Sequence, residues 1–240
     1  MTVATAGLDT ADSGVGNYAS NSFTTASQSP GTNRLQLLAV SFDWEAARAT
    51  APTVTVTGCS LTWVQIASRM FWPDGANFWN TVYLFRALGT PTTGQLTIDA
   101  GAIDVWSWAY SWSECTGMDT SGTNGSGAIV QSASGLASAN SLTVTLAAFA
   151  SANNATYGAF GTGNDFANIV THTAGTGFTE LHDNYSEYCG IGTEWRADND
   201  TSVDNTITNP AGSEFMGGIA VEIADAAAGG SILLQMMNYH

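Results

Sequence analysis

Two carboxylates placed two residues apart on a strand point the same way, and FDWEA supplies such a pair, Asp43 and Glu45, beside Trp44. Glycoside hydrolysis needs two carboxyl groups about 5 to 9.5 Å apart, one of them a raised-pKa acid. This pair stands where an apolar run meets EAARATAP, and reads as a solvated strand end rather than a catalytic centre. The E-x-D-x-x-E arrangement of sandwich-fold glucanases is absent, as is a nucleophile elbow. His172, His182 and His240 do not fall into an H-E-x-x-H spacing. The chain is therefore expected to be no enzyme.

RADNDTSVDN crowds Asp198, Asp200 and Asp204, hard oxygen ligands that would suit a structural Ca²⁺. The segment lacks the sixth-position glycine and terminal glutamate of a helix-loop-helix calcium site, so an acidic solvated turn is the plainer reading. No other cofactor is expected. Cys59, Cys115 and Cys189 are an odd, sparse set that fits neither a disulfide framework nor a zinc site, and read as buried or half-buried thiols.

Aromatic residues offer contact chemistry instead. In FWPDGANFWN the turn signal Pro73-Asp74-Gly75 places Phe71, Trp72, Phe78 and Trp79 on the shoulders of a hairpin. There they would plug into a neighbouring subunit, pack within the chain or stack on a glycan. DVWSWAYSWSEC sets Trp106, Trp108, Tyr110 and Trp112 on one face of a strand, with Ser107, Ala109, Ser111 and Ser113 on the other. The large face reads as a wall of the core and the small face as the one turned to water.

The elements that must position these residues are strands. Runs rich in Val, Thr, Ile and aromatics alternate with Gly, Asn, Asp, Ser and Pro, with no sustained helical period. The fold class expected is all-β: an antiparallel β-sandwich, jelly-roll or lectin-like, of about 12–14 strands. NSFTTASQSPGTNRLQLLAVSF from Asn21 resembles NSLTVTLAAFASANNATYGAFG from Asn140, GCSLTWV resembles GTGFTEL, and a third alignment sets Arg86 opposite Arg196. These matches suggest an internal duplication. Residues 1–20 read as a flexible amino-terminal arm, 21–225 as one sandwich domain, and 226–240 as a linker and apolar tail.

A net charge of −15, with five arginines and no lysine, repels phosphate backbones and anionic membranes. Neither nucleic acid nor a membrane is expected as a partner. MTVATAGLDTADSG has no basic n-region and no apolar h-region, which fits synthesis in a cytoplasm or a signal already removed. The tail SILLQMMNYH carries Ile232, Leu233, Leu234, Met236, Met237 and Tyr239 after the connector ADAAAGG. So much apolar surface is poorly placed in water, and the connector favours docking on another chain over folding back.

An acidic, lysine-free, Ser/Thr/Gly/Ala-rich chain of this pattern, with NSFTTASQSPGTNRLQLLAVSF followed by TVTGCSLTWVQIA, resembles the jelly-roll accessory and decoration proteins of tailed-phage virions. That resemblance implies a non-catalytic structural subunit, a decoration, head-fibre or tail component assembled in a host cytoplasm. Its partners would be its own copies or other virion proteins. The alternatives are a carbohydrate-binding module, with a glycan on the loop aromatics, and a secreted bacterial surface or filament subunit located outside the cell.

Overall fold

The computed structural model describes residues 2–12, 21–44, 50–71, 79–163, 170–186, 188–208 and 215–226. The described residues form sixteen strands in two sets of eight. The first set is β1 (Ala4–Asp12), β2 (Ser22–Thr24), β3 (Leu35–Trp44), β4 (Thr55–Gly58), β5 (Val64–Phe71), β6 (Trp79–Ala87), β7 (Leu96–Asp99) and β8 (Val105–Thr116). The second is β9 (Ile129–Ser138), β10 (Ser141–Thr145), β11 (Ala155–Gly163), β12 (Thr171–Ala174), β13 (Thr179–Tyr185), β14 (Cys189–Arg196), β15 (Ser202–Thr208) and β16 (Phe215–Ile223).

Each set forms one five-stranded and one three-stranded antiparallel sheet. The orders are β1-β8-β3-β6-β5 with β2-β7-β4, and β13-β14-β11-β16-β9 with β10-β15-β12. Adding eight to each strand number of the first set reproduces the second, so the duplication suggested by the sequence is present in the topology. Within each half the chain alternates between sheets as in a jelly roll, except that the fifth strand lies on the larger sheet and the sixth stays there beside it.

Two of the sequence matches hold at the level of single hydrogen bonds. Asn21 C=O accepts from Ala100 N–H as Asn140 C=O accepts from Ile207 N–H, each just before a half's second strand. Gly58 C=O accepts from Leu61 N–H as Gly175 C=O accepts from Phe178 N–H. The arginine match fails in register. Arg86 pairs with Leu37 and so faces the same side as that core residue, whereas Arg196 pairs with Thr156 and faces the other.

The four sheets stack in four layers with three apolar cores. One core lies between the first half's two sheets, around Leu38, Val40, Phe42, Trp44, Tyr83 and Trp112. A second fills the other half, around Val144, Phe160, Val203 and Ala220. The third lies between the two five-stranded sheets, with Leu37, Phe71, Val82, Leu84, Tyr157, Ile191 and Val221. In this central layer β1 meets β13 while β9 meets β5, β8 meets β14 while β16 meets β6, and β3 meets β11. Exchanging the halves maps each contact onto another, which is the signature of a two-fold axis inside one chain.

Three expectations are corrected. The arm drawn over residues 1–20 contains β1, which pairs with β8 from Ala4 opposite Thr116 to Asp12 opposite Ala109. The Tyr110 hydroxyl donates to Asp9 Oδ2 at 2.7 Å, and this carboxylate also receives Ala26 N–H, so polar contacts hold a segment whose apolar pattern is faint. The short β12 also escaped the sequence reading, since its one buried side chain is a histidine, His172. The third correction concerns β8. Its large face is core wall as expected from Trp108 to Trp112, with the Trp112 indole N–H on Gln36 Oε1 at 3.0 Å and Phe23 stacked on Trp108, whereas Trp106, beside a bulge, packs edge-on against Tyr188 of the other half. The small face does not meet water. Ser107, Ala109, Ser111 and Ser113 are buried between the two large sheets, because small side chains let those sheets approach and neighbouring side chains satisfy the Ser107 and Ser111 hydroxyls there.

Phe71 fixes how near the sheets come. Its ring lies over Gly161 and Gly217 of the opposite sheet; a methyl on Gly161 would sit 2.9 Å from Phe71 Cζ, and one on Gly217 would collide with the ring. Gly217→Ala should therefore destabilise the fold by about 1–3 kcal/mol through overpacking, and Phe71→Ala by about 3–5 kcal/mol through the cavity it leaves. Together they should cost less than the sum, since the smaller side chain makes room for the added methyl. Urea denaturation of the two single variants and the double checks this.

Candidate functional site

The central layer gathers polar side chains that could be mistaken for catalytic machinery. Ser111 Oγ lies 2.7 Å from His182 Nδ1 and 2.7 Å from Thr193 Oγ1, a Ser–His contact spanning the two halves. Ser111 is fully buried, so no substrate reaches it. Burial holds His182 below its ordinary value despite the Asp9 charge, which keeps the ring neutral at pH 7. Gly7 on β1 makes room for that imidazole, since a methyl there would strike His182 Nε2. The three atoms form a hydrogen-bonded rivet between sheets. Ser107 Oγ donates to Cys189 Sγ at 3.3 Å and Thr5 Oγ1 donates to Cys115 Sγ at 3.1 Å in the same layer. Burial pushes both thiols up to about 12, so they behave as small apolar groups with weak polar contacts. Cys59 is buried as well.

Asp43 lies buried on β3, opposite Asn80 and Ser107, rather than at a solvated strand end. Its charge helps to raise the Cys189 thiol. Glu45 falls outside the described residues.

The sequence reading missed a second polar cluster, inside the second sandwich. His172 Nδ1 lies 2.7 Å from Asn205 Oδ1, and Asn205 Nδ2 donates to Glu194 Oε2 at 3.2 Å. Gly175 N–H donates to the same carboxylate oxygen at 3.1 Å. Burial raises the Glu194 carboxyl to about 7, against the pull of the Asn205 and Gly175 hydrogen bonds, and lowers His172 to about 4. The only signal in the sequence was a lone histidine in THTA and a glutamate two residues from an arginine, and neither marks burial. Strand pairing of β12 with β15 and of β11 with β14 creates the cluster.

Of the acidic loop, Arg196 takes the load. It binds the Asp198 carboxylate through Nε and Asp200 Oδ2 through Nη1, the latter at 2.7 Å, and holds Asp198 below the usual carboxylate range. Asp204 sits on β15, where Ser202 Oγ donates to it at 3.5 Å. Among the described residues no three His, Cys, Asp or Glu side chains converge as a metal-binding group. An open cleft of about 390 Å³, lined by Thr2, Asn153, Asp198, Asp225 and Ala226 among others, adjoins this loop.

The proposed contact residues divide. Phe71 is corrected: it is 1% exposed and belongs to the central core, so it neither stacks on a glycan nor touches a neighbour. Trp79 opens β6, opposite Trp44, and its half-buried ring packs on the first sandwich's core. Trp72 and Phe78 lie outside the described residues. So do the tail residues Ile232, Leu233, Leu234, Met236, Met237 and Tyr239.

What the described surface does offer is an edge. β9 pairs with β16 on one side only, and its residues alternate between half-buried and exposed along all ten positions. Val130 at 48% and Leu136 at 47% are the large apolar side chains most exposed to water among the described residues. Comparison with protein families, with curated proteins and with solved structures finds no match to this chain.

Two outcomes test the polar clusters. Glu194 holds in the native state a proton that the unfolded chain gives up near 4.5, so its contribution to stability falls as pH rises from there through about 7. His172 acts oppositely: the unfolded chain takes up a proton near 6.5 that the native ring refuses until about 4, so stability is lost as pH falls across that window. The stability of Glu194→Gln relative to the parent should therefore rise by on the order of 2 kcal/mol between pH 5 and 8, measured by urea titration. Chelation of divalent ions should leave the melting temperature unchanged, because Arg196 already pairs with both Asp198 and Asp200; a fall of several degrees would restore the calcium reading.

Proposed function

We propose that the chain is a non-catalytic structural subunit of a larger assembly. The observation that carries this reading is β9: a ten-residue edge strand without a charged side chain, bearing Val130 and Leu136 in water, on a molecule of net charge −15. A lone soluble protein blunts such an edge with charge, proline or a covering segment. The polar clusters agree, since Ser111, Glu194 and His172 are buried between layers, with His182 half-buried beside Ser111, and serve the packing. The outer faces of the small sheets present Thr55, Thr57, Thr143, Thr145, Thr171 and Thr173 to solvent beside Asp99 and Asp204, a hydroxyl-rich and acidic surface.

The resemblance to virion decoration and head-fibre proteins names the kind of assembly that this reading favours. The apolar tail supplies the second attachment, with Ile232, Leu233, Leu234, Met236, Met237 and Tyr239 seating in a neighbour. The carbohydrate-binding alternative loses support, because Phe71 is core and Trp79 packs on core.

Light scattering of the full chain should report an oligomer, and deletion of residues 231–240 should lower its order without lowering the melting temperature. A full chain that stays monomeric at high concentration overturns the assembly reading. An oligomer of unchanged size after the deletion removes the tail from it.

A further inference from the structure

The free edges of the four sheets are not alike. β2, β4, β10 and β12 run three to five residues and offer little to pair with. Among the longer edges, β1 carries Asp9 and Asp12, β5 carries Arg69, and β13 carries Glu180 and Asp183. β9 alone among them has no charged residue. Its counterpart under the internal two-fold is β1, so the two halves differ at the one position where an uncharged edge would matter.

The order of residues on β9 also has a direction-reversing symmetry. Its exposed face reads Val130, Ser132, Ser134, Leu136, ending in Ser138. Facing residues of an antiparallel pair share one side of the sheet. If two copies of β9 run antiparallel with Ala133 opposite Ala133, Val130 of each copy faces Leu136 of the other, and Ser132 faces Ser134. On the opposite face Gln131 meets Gly135, while Ile129, beyond the bulge at Val130, packs on the central core. On the exposed face large meets large and small meets small, and β9 brings no like charges together, although each molecule carries −15.

We infer that a second copy of this chain pairs antiparallel along β9, centred on Ala133, burying Val130 against Leu136 twice and joining two five-stranded sheets into one of ten strands. A two-fold contact of this kind closes on itself, so it yields a dimer and not a filament. It supplies the pairing step of the assembly proposed above and rests on that reading, with the tail left to make the further contacts.

The register makes the test specific. In the full chain, Val130→Glu combined with Leu136→Glu places like charges opposite each other at both contacts. Val130→Glu combined with Leu136→Lys places opposite charges there, as does Val130→Lys combined with Leu136→Glu. Sedimentation analysis over a concentration series should show the first pair halving the oligomer mass, with the dimer's dissociation constant raised about a hundredfold. Both mixed-charge pairs should keep the parent's mass. Far-UV circular dichroism and thermal unfolding confirm that each variant folds, and the mixed pairs carry changes at the same two exposed positions, so loss of fold is distinguished from loss of pairing. A parent mass unchanged by the Glu/Glu pair overturns the β9 contact while leaving tail-dependent assembly standing. Halving by all three pairs shows that β9 meets something other than its own copy in this register, and overturns it too. A monomeric parent removes both this contact and the assembly reading.

Discussion

The closeness of the two five-stranded sheets governs the rest of the molecule. They meet over serine, threonine and glycine as much as over leucine and valine: Ser41, Ser107, Ser111 and Thr193 are buried there, and Gly161 and Gly217 make space for Phe71. Small side chains bring backbones together, but each buried hydroxyl then needs a partner or costs on the order of 1–3 kcal/mol. Ser111 finds two partners, on β13 and β14, and Ser107 finds Cys189. A slide of one sheet over the other would break these bonds at once, so the hydrogen bonds select a single register while the apolar neighbours drive the approach.

Packing the halves back to back has a consequence for function. An isologous contact within one chain covers both large faces, which in a single sandwich would be the broad surface available for a partner. What remains among the described strands are hydroxyl-rich small sheets and sheet edges. The internal symmetry makes the departures from it informative: β1 and β9 occupy equivalent places, yet the first is charged and locked by Asp9 to Tyr110, and the second is bare. Duplication frees one copy of a structural edge to acquire another use.

The second sandwich is stabilised differently from the first. Around Trp44, Phe42 and Tyr83 the first half buries a dense aromatic core. In the corresponding interior of the second, His172, Asn205 and Glu194 form a hydrogen-bonded chain that ties β12, β15 and β14 together. The carboxyl remains protonated well above its ordinary range because the neutral form suits its surroundings. Such a network contributes orientation more than net stability, since its desolvation offsets much of what its bonds provide.

Composition and alternation alone determined that this chain is all-β, that most of its strands lie where Val, Thr and aromatic runs lie, and that its two halves echo each other from Asn21 and Asn140. Those properties follow from local preference and from period-two burial, which each strand displays by itself. Tertiary structure decided what depends on a second surface. Side-chain size along β8 separates its two faces, but only the opposing sheet turns the serine face inward. Phe71 beside a turn signal looks exposed until Gly161 and Gly217 open a place for it. Weakly patterned β1 becomes a strand because Tyr110 and Asp9 meet across its pairing with β8. Glu194 titrates near neutrality because β12 and β15 close over it. Burial is a relation between segments distant in the chain, so residue types could state which side chains were able to be inside, and packing settled which of them are.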